Sequence, residues 1–276
     1  MRTFGSGNQT YLYLNGLAVN QPVRLCKNVE LLPAKVDCHA DLFLGLGKSD
    51  VDISVISLFL PFVQSQLRVQ GSDAKETATR SWNALWDALL LGAITGTEVM
   101  CNLQSDISTQ ELKPDSKVIV TNYMLRGFPH KHTPSMSNSE IAWVEHHFEK
   151  ARKLLDNDNF RNAVHCLASF SWHSMPRARL AIIWSGIEGL FGVDSEIVFR
   201  VSLYCARFLH PDDCNKQTTV FESVKDLYKS RSKAVHGGRM KGDPAISVKE
   251  SAYLLKSLVL RCAEIDALPD PKNLVF

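Results

Sequence analysis

One arginine sits where an apolar residue is expected. Phe221, Val224, Tyr228 and Val235 recur at helical spacing, and Arg231 falls on the same stripe. A guanidinium is costly to leave unpaired in a core, so Arg231 must either meet a carboxylate or line a pocket that receives an anion. His236 follows five residues later, directly before Gly237-Gly238, where a helix must stop and the backbone can bend. An arginine offers a fork of donors suited to phosphate oxygens, and histidine is the side chain that exchanges a proton near neutrality. At about 100° per residue, five steps leave two side chains roughly 140° apart around one helix. Either the helix breaks between Arg231 and His236, or another surface completes the site, most economically the same segment of a second copy across a two-fold axis.

The surrounding residues extend this pattern. Ser232 is placed to hydrogen-bond a phosphate or orient His236, and Lys229, Lys233, Arg239 and Lys241 supply positive charge nearby as substrate-binding candidates. Upstream, Glu188 is a carboxylate that can pair with Arg200 or Arg231. Read without further context, Arg231 and His236 also fit a structural role, as an interhelical ion pair and a histidine favoured by a helix C-terminus.

Helices must hold these groups. Ile141, Val144, Phe148, Ala151 and Leu155 form one stripe of a helix from Ser139, and Asn159 is a candidate cap for a second helix through Trp172. A third begins near Pro176 and runs to Phe191, a fourth covers 195–209, and a fifth runs from about Gln217 to Val235. Asp243-Pro244 opens a last one carrying Leu255, Leu258, Val259 and Cys262. Short loops between so many helices indicate a bundle.

The first 125 residues read differently. Tyr11–Leu14, Val23–Cys26 and Val29–Leu32 suggest a small antiparallel meander, and Val99–Leu103 and Lys117–Thr121 suggest later strands. Ala78, Trp82, Leu85, Trp86, Leu89 and Leu90 predict a helix across the sheet with two indoles on its buried face. Two prolines and a glycine in 126–138 mark an exposed connection. The expected class is α+β: a small mixed α/β domain over 1–135 that senses or positions a target, then an all-α helical bundle over 136–276.

The run Leu227-Tyr-Lys-Ser-Arg-Ser-Lys-Ala-Val-His-Gly237, with Ile187-Glu-Gly-Leu-Phe191 and Phe199-Arg200 before it, resembles the Apea-like branch of the HEPN superfamily. That family's signature, an arginine followed by a small polar residue and a histidine, matches Arg231, Ser232 and His236; its upstream glutamate and arginine match Glu188 and Arg200. Tyr228 and the glycine stop strengthen the match, which covers roughly residues 140–265. The resemblance implies a homodimeric HEPN helical bundle that cleaves RNA without metal or other cofactor. Such proteins act as toxins or antiviral defence effectors in abortive infection. RNA carries its own nucleophile, the 2′-hydroxyl, so catalysis needs alignment, proton transfer and charge stabilisation. The expected products are a 2′,3′-cyclic phosphate and a 5′-hydroxyl. Expected partners are tRNA, mRNA or rRNA, a second copy of the chain and an antitoxin or defence-system protein. A non-catalytic dimerisation or binding subunit is the alternative.

Composition narrows other classes. The 276 residues, 45% hydrophobic, suffice for real cores, and 31 basic against 29 acidic side chains give a net charge of +2. No strong whole-chain field calls for a polyanion, so nucleic-acid affinity must come from a local patch. No apolar run reaches membrane-span length and the first residues lack a secretory core, giving a cytoplasmic expectation with no membrane partner. Cys26, Cys38, Cys101, Cys166, Cys205, Cys214 and Cys262 are scattered, without a disulfide framework or the paired spacing of a zinc site. His146-His147 point about 100° apart on a helix and read as a solvated face. His130-Lys-His132 reads as an exposed loop. No G-x-S-x-G elbow occurs, and Gly5-Ser-Gly7 and Gly45-Leu-Gly47 lack the setting of a phosphate loop. Trp82, Trp86, Trp143, Trp172 and Trp184 are assigned to helical core stripes.

Overall fold

Alternating β-formers around Leu12 and Leu14 build β1 (Gln9–Asn15), which becomes an inner strand of a six-stranded antiparallel sheet. The computed structural model describes residues 3–123, 133–193, 195–238 and 242–274. The chain divides into two compact units, Met1–Glu149 and Lys150–Phe276. The helix Asn138–Leu154 begins in the first and ends in the second.

In the first unit, β2 (Val23–Cys26) and β3 (Val29–Pro33) form the expected hairpin, and β5 (Met100–Ser105) and β6 (Val118–Val120) pair at the other end. The expected meander is corrected. A further strand, β4 (Ser65–Gln70), lies between β3 and β1, giving the order β2-β3-β4-β1-β5-β6. β4 escaped sequence reading because alternate residues, Gln66, Arg68 and Gln70, are polar, leaving only Leu67 and Val69 as an apolar signal.

The helices α1 (Ala40–Leu46) and α2 (Asp50–Phe59) pack Leu42, Leu46, Val55, Ile56 and Phe59 with Tyr11, Tyr13, Leu103, Val118 and Val120 of one sheet face. The long α3 (Ala74–Thr95) packs on β4, β1 and β5. Asp73 caps it by accepting from the Glu76 amide at 2.8 Å, and Gly96, at φ +75°, ends it. Its buried side carries Ala84, Leu85, Ala88 and Leu91, whereas Trp82 is 49% exposed and Trp86 half-buried. The expectation of two indoles on the buried face fails because the small alanines allow close approach to the sheet.

The remaining elements are helical. α4 (Asn138–Leu154) buries Ile141, Val144, Phe148 and Ala151, as the stripe predicts. α5 (Asp158–Ser169) is capped by Asn157 rather than Asn159, its Oδ1 accepting from the amides of Asn159 and Phe160, and it closes in a tight turn at Phe170–Trp172. α6 (Pro176–Phe191) packs on α5, on α8 (Cys214–Val235) and on α9 (Pro244–Ile265), while α7 (Ile197–Leu209) packs mainly on α8. Gly186 is required where α6 meets its neighbours. A Cβ there would stand 2.9 Å from Leu255 Cδ2 and 3.0 Å from Cys166 Cβ. Trp184 is fully buried, whereas Trp143 and Trp172 are only half-buried. None of the seven cysteines forms a disulfide. Among the described residues, no helix is long and apolar enough to cross a membrane.

Candidate active site

α8 starts at an Asp213 cap that accepts from the Lys216 amide at 3.0 Å, and it continues without interruption to Val235. His236 is its C-terminal cap residue, its amide donating to the Ser232 carbonyl at 3.0 Å, and Gly237 at φ +76° turns the chain away. The helix does not break between Arg231 and His236. Arg231 and His236 therefore do not converge along α8 itself.

Arg231 is held from two sides. Its Nη2 donates to the Glu188 carboxylate of α6 at 3.0 Å, and its guanidinium carbon lies 5.3 Å from the Tyr228 ring centre. Tyr228 in turn meets the edge of Trp184 at 5.2 Å, and the Trp184 indole N–H donates to Ser251 of α9 at 3.1 Å. Trp184 and Glu188 are one turn apart on α6, and Tyr228 and Arg231 are one turn apart on α8. The two pairs interlock, which explains how a cation is accommodated on an apolar stripe. The arginine and glutamate side chains keep only 19% and 21% of their surface exposed. The stripe also ends sooner than the spacing predicts: Ala234 is buried, whereas Val235 is 46% exposed.

Burial pushes the Glu188 carboxyl above its ordinary value of 4.5, and the Arg231 charge partly offsets this. The folded protein therefore holds this proton more tightly than the unfolded chain. Stability contributed by the neutral form is lost as pH rises from about the ordinary carboxylate value through the raised one. Denaturant titrations of wild type and Glu188→Gln across that window are expected to show the wild type gaining stability relative to the variant as pH falls. Parallel curves would refute it.

Sequence reading missed one positioning residue, Arg177. Its Nη1 donates to the carbonyls of Lys233 and Ala234 at 3.1 and 3.0 Å, and its Nη2 to that of Gly238 at 2.8 Å. The last carbonyls of a helix lack partners within the helix, and they carry its negative dipole end. Arg177 satisfies them and pins the turn that presents His236. One of two arginines in the first turn of α6, Arg177 gives no sequence sign of a target 56 residues away. Arg177→Ala is expected to cost about 1–2 kcal/mol, from the worth of charge-assisted hydrogen bonds. It should also speed hydrogen exchange at the His236 amide beyond that global loss, and exchange that follows global stability alone would show that Arg177 does not hold this turn.

The other candidates distribute unevenly. His236 is exposed and Ser232 and Lys233 are half-buried, and their side-chain polar atoms have no hydrogen-bond or ion-pair partner among the described residues. The Ser232 carbonyl accepts the His236 amide, as any helical carbonyl at this position would, and the Ser232 side chain makes no contact with the imidazole among the described residues. Lys229 is tied to Asp226 at 2.7 Å, which weakens its case as a substrate contact. Arg200 does not meet Glu188. It pairs with Glu196 on its own helix at 3.3 Å, so of the two partners open to Glu188 it is Arg231 that meets it. Arg239 and Lys241, like His130 and His132, lie outside the described residues. His146 is exposed with Nδ1 at 2.8 Å from the Ala142 carbonyl oxygen, and among the described residues no group of three metal-ligating side chains occurs.

Compared with family profiles, curated proteins and solved structures, the chain matches none.

Proposed function

We propose that the second unit is a metal-independent endoribonuclease of the HEPN type, acting as a homodimer in which α8 segments of two copies face each other. The observation that carries the reading is the contrast at the end of α8: a continuous helix, a guanidinium anchored by Glu188 and Tyr228, and an exposed imidazole held in place only through the backbone. Anchoring one donor group and presenting one proton carrier suits cleavage by the ribose 2′-hydroxyl. Arg231 Nη1 and Nε have no hydrogen-bond partner among the described residues, and since Nε is sealed from solvent, Nη1 is the donor offered to a phosphate oxygen. His236 moves the proton, and Lys233 adds positive charge beside it. The test is incubation of pure protein with tRNA or total RNA in EDTA, with end-group analysis for a 2′,3′-cyclic phosphate. An inactive wild type under these conditions overturns the proposal.

The Glu188–Arg231 ion pair also favours a second reading, in which the pair is structural and the bundle serves as a dimerisation or RNA- or protein-binding subunit. That reading predicts binding without cleavage. Toxin or defence activity, a protein antitoxin and a cytoplasmic site of action are consequences of the nuclease proposal.

A further inference from the structure

The sheet of the first unit has one half-open face. α1 and α2 cover the β1, β5 and β6 side, and the polar alternates of β2, β3 and β4 lie beyond them on the same face. An open antiparallel face is ordinarily just solvated. Three features distinguish this one.

A cleft of about 240 Å³ is lined by Arg24, Lys27, Asn28, Glu30, Arg68 and Gln70. Three cations share one carboxylate there. Arg24 and Arg68 flank Glu30 in register, and Glu30 pairs with Arg68 at 2.5 Å. Arg24 and Lys27 have no ion-pair partner among the described residues, and Arg68 Nε is sealed from solvent without a hydrogen-bond partner. Next to it is a second cleft of about 390 Å³, whose walls include Tyr11, Leu32, Pro33, Gln110 and Glu111. The strand register places Tyr11 opposite Arg68, so the clefts adjoin. Tyr11 is 7% exposed, and its hydroxyl has no partner among the described residues. Burial pushes the phenol up and the Arg68 charge pulls it back. Glu111 accepts from Ser108 at 2.9 Å through Oε2, leaving Oε1 as an acceptor at the apolar end.

We infer that this face binds a nucleoside monophosphate, its phosphate against Arg24, Lys27 and Arg68 and its base on Leu32 and Pro33, with the Tyr11 hydroxyl at its edge. Charge supports this occupant. At the phosphate end three cations and one carboxylate leave an excess of two positive charges, where a phosphate monoester carries nearly two negative charges at neutral pH, while Glu111 stands at the base end. The cationic and the apolar ends match the two ends of a nucleotide. An amino group on the base finds its acceptor in Glu111.

The site is separate from α8, so its test stands apart from the nuclease assay. Calorimetric titration of the full chain with AMP and GMP is expected to give saturable binding, with adenosine and inorganic phosphate each at least tenfold weaker. Arg24→Ala and Lys27→Ala change exposed side chains, and each is expected to weaken AMP about tenfold without altering the melting temperature. Tyr11→Phe should weaken it several-fold. The inference is overturned if neither nucleotide binds, if inorganic phosphate binds as tightly as AMP, if only a longer RNA binds, or if the two cation variants bind like wild type.

Discussion

His236→Ala is expected to reduce RNA cleavage by about 10²–10⁴-fold, the usual contribution of a positioned proton-transfer group, with little change in stability. The side chain is exposed and makes no hydrogen bond among the described residues, so its loss disturbs no packing. Arg231→Ala should cut activity by about 10²–10³-fold, the scale of one donor to a developing oxyanion. It also leaves Glu188 buried without its partner, so some destabilisation accompanies it. Arg231→Lys separates the two effects. Lysine keeps the charge beside Glu188 and loses the planar fork, so stability should recover more than activity. Because the groups act together, the double variant should be little worse than the poorer single one.

Geometry adds a sharper expectation. α8 is continuous, so Arg231 and His236 of one chain diverge, and in the proposed homodimer a working pair would draw one residue from each copy. Mixing His236→Ala chains with Arg231→Ala chains, then refolding them together, should restore activity to about a quarter of wild type: half of the dimers are mixed, and each has one of two sites intact. No recovery in verified mixed dimers would sink the shared-site geometry. Undiminished cutting by both single variants would sink the catalytic assignment itself.

The second large effect is on stability. Trp184→Ala is expected to cost about 3–5 kcal/mol, the range for deleting a buried large aromatic side chain. Trp184 is fully buried, presents its ring to Tyr228 and donates to Ser251. Its loss leaves a cavity among α6, α8 and α9 and removes the ring against which Tyr228 is set. Urea unfolding monitored by far-UV circular dichroism provides the measurement. Trp184→Phe, which keeps much of the volume and the ring contact, should recover most of the loss but leave the Ser251 hydroxyl without its donor. A loss below about 1 kcal/mol for Trp184→Ala would mean that this contact does not organise the bundle.

How much was legible beforehand depended on how local the signal was. The second-unit helices follow from side chains three and four apart and from short-range terminators such as Pro176, Asp243-Pro244 and Gly237. The conflict of Arg231 with its stripe was also local, and so was the angle separating it from His236. These the sequence determined by itself, because helical periodicity and the glycine stop are properties of neighbouring residues. The sheet order was not readable. β4 enters between β3 and β1 through long-range pairing, and its polar alternates disguise an inner strand. Which arginine meets Glu188 was equally undecided, since Arg200 and Arg231 lie on different helices and only packing shows that Arg200 turns to Glu196. Arg177 illustrates the limit most plainly. Its partners are backbone carbonyls, which every residue has, so no side-chain pattern marks them. Tertiary structure alone decided that an arginine at the start of α6 holds the end of α8, and it also decided that the helix runs unbroken to His236.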